Sequence, residues 1–246
     1  AQSPDARARF FNEMRIMASF DHPNVARSLA SFEVDGRLVL VLELYEGRTL
    51  REELEAMGPL PPKRAIEVAM AIASALCSAH ERPEPIVHRD LKPENVMALR
   101  DGSVRVMDFG IAKVVGDGQN LTRASQAVGT VLYMSPEQAE SRGVTPQTDL
   151  YALGLVLYEM LTGKPVFDGP SILGVVRAHC ETPPPPLPDA VRRVAPPDLE
   201  RLILALLEKA PEHRPPGARS VLGQLHRIAV HGLPPMGGIH DIREYV

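Results

Sequence analysis

"IVHRDLKPENVM", residues 86–97, places a carboxylate (Asp90), an ammonium (Lys92) and a carboxamide (Asn95) within six residues, with apolar residues on either side. A solvated loop has no need of three different polar chemistries at such close spacing; a reaction site does. Asp90 is a candidate general base, able to accept a hydrogen bond from an attacking hydroxyl and to take its proton late in the reaction. Lys92 offers a cation to a transferring phosphoryl group, and Asn95 offers a neutral oxygen to a divalent metal. Asp108, thirteen residues after Asn95 at the end of a β-rich run, adds an anionic oxygen. A carboxamide with a carboxylate, leaving room for water and phosphate oxygens, suits magnesium, whereas zinc would require a Cys or His set. The implied chemistry is metal-assisted phosphoryl transfer.

The flanking sequence gives this stretch a setting. Residues 96–99 and 104–107 read as short β-runs around the turn "RDGS", so the motif lies between a helix and a small hairpin. Upstream, "TLREELEAMG" (49–58) and "PPKRAIEVAMAIASALCSAHE" (61–81) are helical, the second opening at prolines and apolar on one broad face. Earlier still, residues 5–20 carry apolar positions at helical spacing after the cap-like Asp5, and "DHPN" stops that helix. Residues 25–47 hold two β-rich runs separated by Asp35-Gly36, a hairpin signal.

Downstream, residues 108–138 are rich in Gly, Ser and Thr without a sustained period, which reads as a functional loop. "TDLYALGLVLYEMLTG" (148–163) is apolar nearly all round and marks a helix at the centre of its lobe. The proline-rich run 182–197 predicts a surface polyproline II connection. The helix "PDLERLILALLEKA" follows, and a final amphipathic helix runs to about residue 230. The tail after it gives no functional signal.

The totals exclude several classes. The chain has 246 residues, 44% of them apolar and 24% charged, which places it among globular proteins large enough for two lobes. A net charge of −4 without a long basic run argues against a nucleic-acid partner. No apolar run reaches the roughly 18 residues of a membrane span, and the N-terminus lacks a secretory core, so a cytoplasmic setting is expected. Cys77 and Cys180 are too few for a disulfide framework and read as reduced thiols, Cys77 packed in a helix.

"HRDLKPEN", "DFG" and "SPE", in this order, resemble the eukaryotic-like serine/threonine protein kinases, and "GTVLYMSPEQA" and "LTGKPVFDG" resemble the bacterial branch of that family. The resemblance covers about residues 8–230. It implies an α+β two-lobe fold with a partial small lobe and hinge over 1–46, a complete helical large lobe over 47–230 and a tail over 231–246. The implied reaction moves the γ-phosphate of ATP, with Mg2+, to Ser or Thr hydroxyls of proteins. Asp90 would be the base, Lys92 would contact the γ-phosphate, and the hydroxyl of Thr130 would join them. Asn95 and Asp108 would hold magnesium. Glu43 to Tyr45 would form the hinge that binds adenine through its backbone, with Met97 under the ring, although sequence pattern alone makes Met97 a core residue.

Glu13 matches the family's ion-pair glutamate on the first helix. Phe109 would pack under that helix beside His88 and Met17, with His88 a packing residue rather than a ligand. Glu137 and Arg214 match a buried ion pair that braces the end of the activation segment. Asp149 would anchor the catalytic-loop backbone, against a plain helix cap after Thr148 as its alternative. Arg89 beside the base suggests control by phosphorylation, with Thr122 and Ser125 as candidate sites. Ala124 departs from a twin-threonine pattern, which argues against a double switch. A kinase dimer for trans-autophosphorylation is compatible with this reading.

The family cradles ATP with a Gly-rich loop and a strand lysine that lie before the first helix. Here the first glycine is Gly36 and the first lysine is Lys63, so Glu13 has no lysine to meet. Together with Ala1 in place of Met, this leads to the expectation of a kinase sequence that begins inside a longer one. The parent could then be membrane-anchored elsewhere. The rival expectations are a catalytically impaired kinase-fold scaffold and a small-molecule phosphotransferase; Lys92, "SPE" and the long activation segment argue against the latter.

Overall fold

A computed structural model describes residues 20–35, 37–109 and 131–232. The two runs around Asp35 form an antiparallel hairpin, β1 (Ser28–Val34) and β2 (Arg37–Leu42), in which Phe32 faces Val39 and Ala30 faces Val41. Ahead of it, residues 24–26 run beside the later strand β5 (Val104–Val106): Val106 N–H donates to the Asn24 carbonyl (2.8 Å) and Ala26 N–H to the Val106 carbonyl (2.9 Å). The hairpin is thereby tied to the strand that leads into Asp108.

A three-residue strand β3 (Gly47–Thr49) then opens the helical part. Thr49 caps α1 (Leu50–Met57) through a reciprocal box with Glu52, which satisfies amides the first turn would otherwise leave unpaired. The helix α2 (Pro62–His80) starts on its prolines as expected and buries Ile66, Ile72 and Leu76. β4 (Val96–Leu99) pairs on one side with β3 and on the other with β5, giving a second small antiparallel sheet beneath the catalytic stretch.

After a four-residue helix α3 (Pro136–Ala139) comes α4 (Pro146–Thr162), whose residues from Thr148 to Leu161 are all buried. It starts two residues earlier than the apolar run indicates, because Thr145 is the cap and Pro146 the first helical residue. The remaining helices are α5 (Ile172–Glu181), α6 (Asp189–Arg192), α7 (Pro197–Leu206) and α8 (Ala218–His231). α4 and α7 approach so closely at Gly154 that a Cβ there would lie 2.8 Å from Leu206 Cβ. Most helices thus pack around α4, with small antiparallel sheets along one side of the described chain.

The proline-rich run is more than the expected surface connection. It contains α6, and Leu187, Val191 and Ala195 are buried, with Leu187 N–H donating to Glu200 (2.9 Å). Its prolines fix the backbone while the intervening apolar residues dock on the helical core. The sequence reading also passed over α3, α5 and β3, short elements whose period is hard to detect. Cys77 is buried in α2 as expected, and Cys77 and Cys180 are both free thiols. The first helix, with Glu13 and Met17, and most of the tail lie outside the described residues.

Candidate active site

The catalytic stretch is held from below by Asp149, in the first turns of α4. Its carboxylate is fully buried and accepts the backbone N–H groups of His88 (2.7 Å) and Arg89 (2.9 Å), together with His80 Nε2 (2.8 Å). Asp149 is therefore no helix cap, since the cap lies four residues earlier at Thr145. His80, which the sequence reading missed, closes α2 and carries no signal beyond its place at that helix end.

His88 is fully buried and works at both ring nitrogens. Its Nε2 lies 2.8 Å from the Met107 carbonyl, which can only accept, so the hydrogen resides on Nε2 and Nδ1 is free to accept Asp90 N–H at 3.3 Å. Phe109 packs against its ring at a tilt of 58° with centroids 4.6 Å apart and meets Phe20 edge-on at 5.5 Å. The expected packing of Phe109 on His88 is present, with Phe20 as a further aromatic neighbour.

Two polar side chains converge on one oxygen of Asp90. Lys92 Nζ lies 2.7 Å from Asp90 Oδ2, and Asn95 Nδ2 donates to the same oxygen (3.2 Å) and to the Asp90 carbonyl (2.7 Å). With its amide hydrogens spent on Asp90, Asn95 presents Oδ1 as an acceptor. Asn95 itself is pinned beside Asp108, because Met107 N–H donates to the Asn95 carbonyl (2.8 Å). Arg89 and Asp108 both adopt left-handed backbone (φ 69° and 58°), a conformation that costs a non-glycine residue about 1–2 kcal/mol and is kept where surrounding contacts enforce it.

Asp108 is exposed to the cleft, yet the protein around its carboxyl pushes its pKa up by desolvation. His88 and Lys92 oppose that shift, and the like charge of Asp90 adds to it. The oxygens of Asn95 and Asp108 form a hard donor set, and no group of three or more His, Cys, Asp or Glu suited to a metal occurs among the described residues. Two oxygen ligands with positions left for water and phosphate fit magnesium.

Asp108 and Phe109 also line a small recess with Val25, Leu40, Leu42 and Val106. In the segment after β2, Glu43 N–H donates to the Arg27 carbonyl (3.0 Å), whereas the Glu43 carbonyl and the Tyr45 amide have no backbone partner among the described residues. The Tyr45 hydroxyl folds back to accept Arg27 N–H (3.0 Å) and to donate to Glu43 (2.9 Å). Met97 is half-buried on β4 rather than part of the core.

Behind the loop, Arg214 and Glu137 form the expected buried pair, at 2.8 and 2.9 Å, and Thr148 donates to Glu137 (2.9 Å). Burial alone would raise the Glu137 carboxyl; the Arg214 guanidinium overrides it and holds the pKa below the usual range. A further ion cluster went unforeseen: Arg51 of α1 bonds Glu94 (2.9 Å), Glu159 (2.7 Å) and the Tyr133 hydroxyl. It ties the turn carrying Asn95 to α1 and α4. Thr130, Thr122, Ser125 and Glu13 lie outside the described residues.

No helix among the described residues is long and apolar enough to cross a membrane. The chain is 38% identical over 240 residues to the serine/threonine-protein kinase PknB of Mycobacterium leprae, and equally so to that of Mycobacterium tuberculosis, covering 96% of its own length. It is 39% identical over 209 residues to the serine/threonine-protein kinase PrkC of Bacillus subtilis, covering 84% of its own length. It spans only 38% of PknB and 31% of PrkC. The profile of the protein kinase domain matches residues 1–225, and the chain belongs to that family.

Proposed function

We propose that the chain carries the catalytic apparatus of a serine/threonine protein kinase, which transfers the γ-phosphate of ATP to Ser or Thr hydroxyls of protein substrates. The observation that carries this reading is the convergence of Lys92 and Asn95 on Asp90 Oδ2, with Asp108 alongside. Residues 1–46 would form the partial small lobe and hinge, 47–230 the large lobe, and 231–246 a tail.

Asp90 accepts the hydrogen of the substrate hydroxyl and takes its proton as the oxygen attacks phosphorus. Its second carboxylate oxygen has no partner among the described residues and is open to that hydroxyl, while Oδ2 is held by Lys92 and Asn95. Lys92 can shift from Asp90 to the transferring phosphoryl group, whose charge it neutralises. Asn95 and Asp108 would hold Mg2+, which neutralises phosphate charge when bound. The open Glu43 carbonyl and Tyr45 amide would receive the adenine edge, with Met97 against the ring. Arg89 would meet a phosphate on Thr122 or Ser125, as the resemblance implies.

The test is transfer of labelled phosphate from Mg-ATP to a generic protein substrate by the chain and by Asp90→Asn. A loss of about 10³-fold or more is expected, and full activity in the variant would refute the base assignment. Labelling of an aminoglycoside in place of protein would favour the small-molecule reading.

A further inference from the structure

Gln138, in α3, reaches back to the catalytic loop. Its Nε2 donates to the Arg89 carbonyl at 2.8 Å, and its Oε1 accepts Ser135 N–H at 3.0 Å. A carbonyl can only accept and an amide N–H can only donate, so the carboxamide has one orientation that serves both. An apolar side chain there satisfies neither partner, and a carboxylate satisfies Ser135 alone.

The target of this contact is the peptide unit just before the base. Its carbonyl, on Arg89, is held by Gln138, and its N–H, on Asp90, is held by His88 Nδ1. Arg89 N–H is fixed in turn by Asp149, and the residue sits in left-handed backbone at φ 69°. Rotation of this peptide plane would re-aim the Cα–Cβ bond of Asp90. The support under Gln138 is firm, because Ser135 is fully buried and Glu137 is locked to Arg214. Gln138 itself is only half-buried, so its substitution leaves the core intact.

We propose that Gln138 is a positioning residue, whose carboxamide fixes the peptide plane between Arg89 and Asp90 and thereby the direction in which Asp90 presents its carboxylate. The catalytic half of this statement rests on the reading of Asp90 as the base. The contact also gives the end of the activation segment a direct hold on the catalytic loop.

The experiment compares Q138E and Q138L with the unaltered full chain by amide hydrogen exchange at Arg89 and Asp90 between pH 5 and 8, and by phosphotransfer kinetics. At pH 7.5, Q138E should exchange at these amides about tenfold faster than wild type, while amides of α4 are unchanged. Its kcat should fall by about tenfold with KM for ATP unaltered. Both differences should shrink towards pH 5, because the introduced carboxyl, as pH nears its usual pKa of about 4.3, regains a hydrogen to donate. Q138L should show the faster exchange at every pH, without recovery.

Wild-type exchange in Q138E would overturn the proposal, as would faster exchange with unchanged kcat. Full phosphotransfer by Asp90→Asn would instead overturn the role of Asp90, and the exchange result would still decide the Gln138 contact. The two failures are therefore separable.

Discussion

Glu137–Arg214 and Asp90–Lys92 pair the same kinds of charge at nearly the same distance, 2.8 and 2.7 Å. The first pair is closed. Arg214 spends its donors on both Glu137 oxygens and on the carbonyls of Glu208, Gln147 and Lys209, and its side chain is 0% exposed. In the second pair the side chains are 29% and 17% exposed, and one Asp90 oxygen is unused among the described residues. A buried pair with every donor satisfied has only one low-energy arrangement, which makes it a brace. A pair with an open oxygen and a flexible lysine can change partners, which a reaction step requires.

The comparison breaks if the open pair proves structural or the closed pair dispensable. The largest effect should come from Asp90→Asn, with phosphotransfer down by about 10³-fold or more while the urea midpoint moves little. Next, Arg214→Ala should destabilise the fold by about 3–5 kcal/mol in urea unfolding, because it strands a buried carboxylate. The Glu137 pKa is depressed in the folded state, so its contribution is present above the unfolded carboxyl value of about 4.3 and is lost as pH falls through the lower folded value. Wild type should accordingly lose stability in that acid range more steeply than Glu137→Gln does.

A third effect should arise at His179, buried behind Tyr151, whose hydroxyl lies 3.1 Å from Nδ1. Burial, with the charge of Lys209, lowers its pKa to about 4. The unfolded imidazole binds a proton below about 6.5 while the folded one does not, so stability should decline between pH 6.5 and 4. The decline should be on the order of 2–3 kcal/mol, and His179→Gln should flatten that limb of the pH–stability curve. Smallest of all, Lys92→Met should change unfolding stability by no more than about 1 kcal/mol, because this half-buried pair is still reached by solvent. A larger change would mean that the open pair is also a brace.

Much of the site was legible because its chemistry is local. Asp90, Lys92 and Asn95 lie within six residues, and the turn between them leaves little choice of geometry, so residue types alone pointed to a base, a cation and a metal oxygen. The Asp35-Gly36 turn marked the first hairpin, and the all-apolar run marked α4 for the same reason. Residues whose partners are distant in sequence were harder. Gln138 stands in the sequence only as the residue after "SPE", and Arg51 as a charge on a helix with Glu at neighbouring positions, until folding brings Arg89, Glu94, Glu159 and Tyr133 to them. The prolines of residues 182–197 masked the burial of Leu187 and Val191 because proline content reports backbone shape, not which side chains dock.

The sequence by itself determined the chemistry, since carboxylate, ammonium and carboxamide at that spacing suit few reactions; its periodicities marked individual helices and hairpins, and the ordered signatures "HRDLKPEN", "DFG" and "SPE" implied the fold class by resemblance. Tertiary structure alone decided how the catalytic loop is held: Asp149 on His88 and Arg89, His88 on Asp90, and Gln138 on Arg89. The reason is physical. Hydrogen-bonding groups of a part-buried loop must be matched by whatever partner the packing of the fold brings within 3 Å or so, and no local pattern encodes that distance.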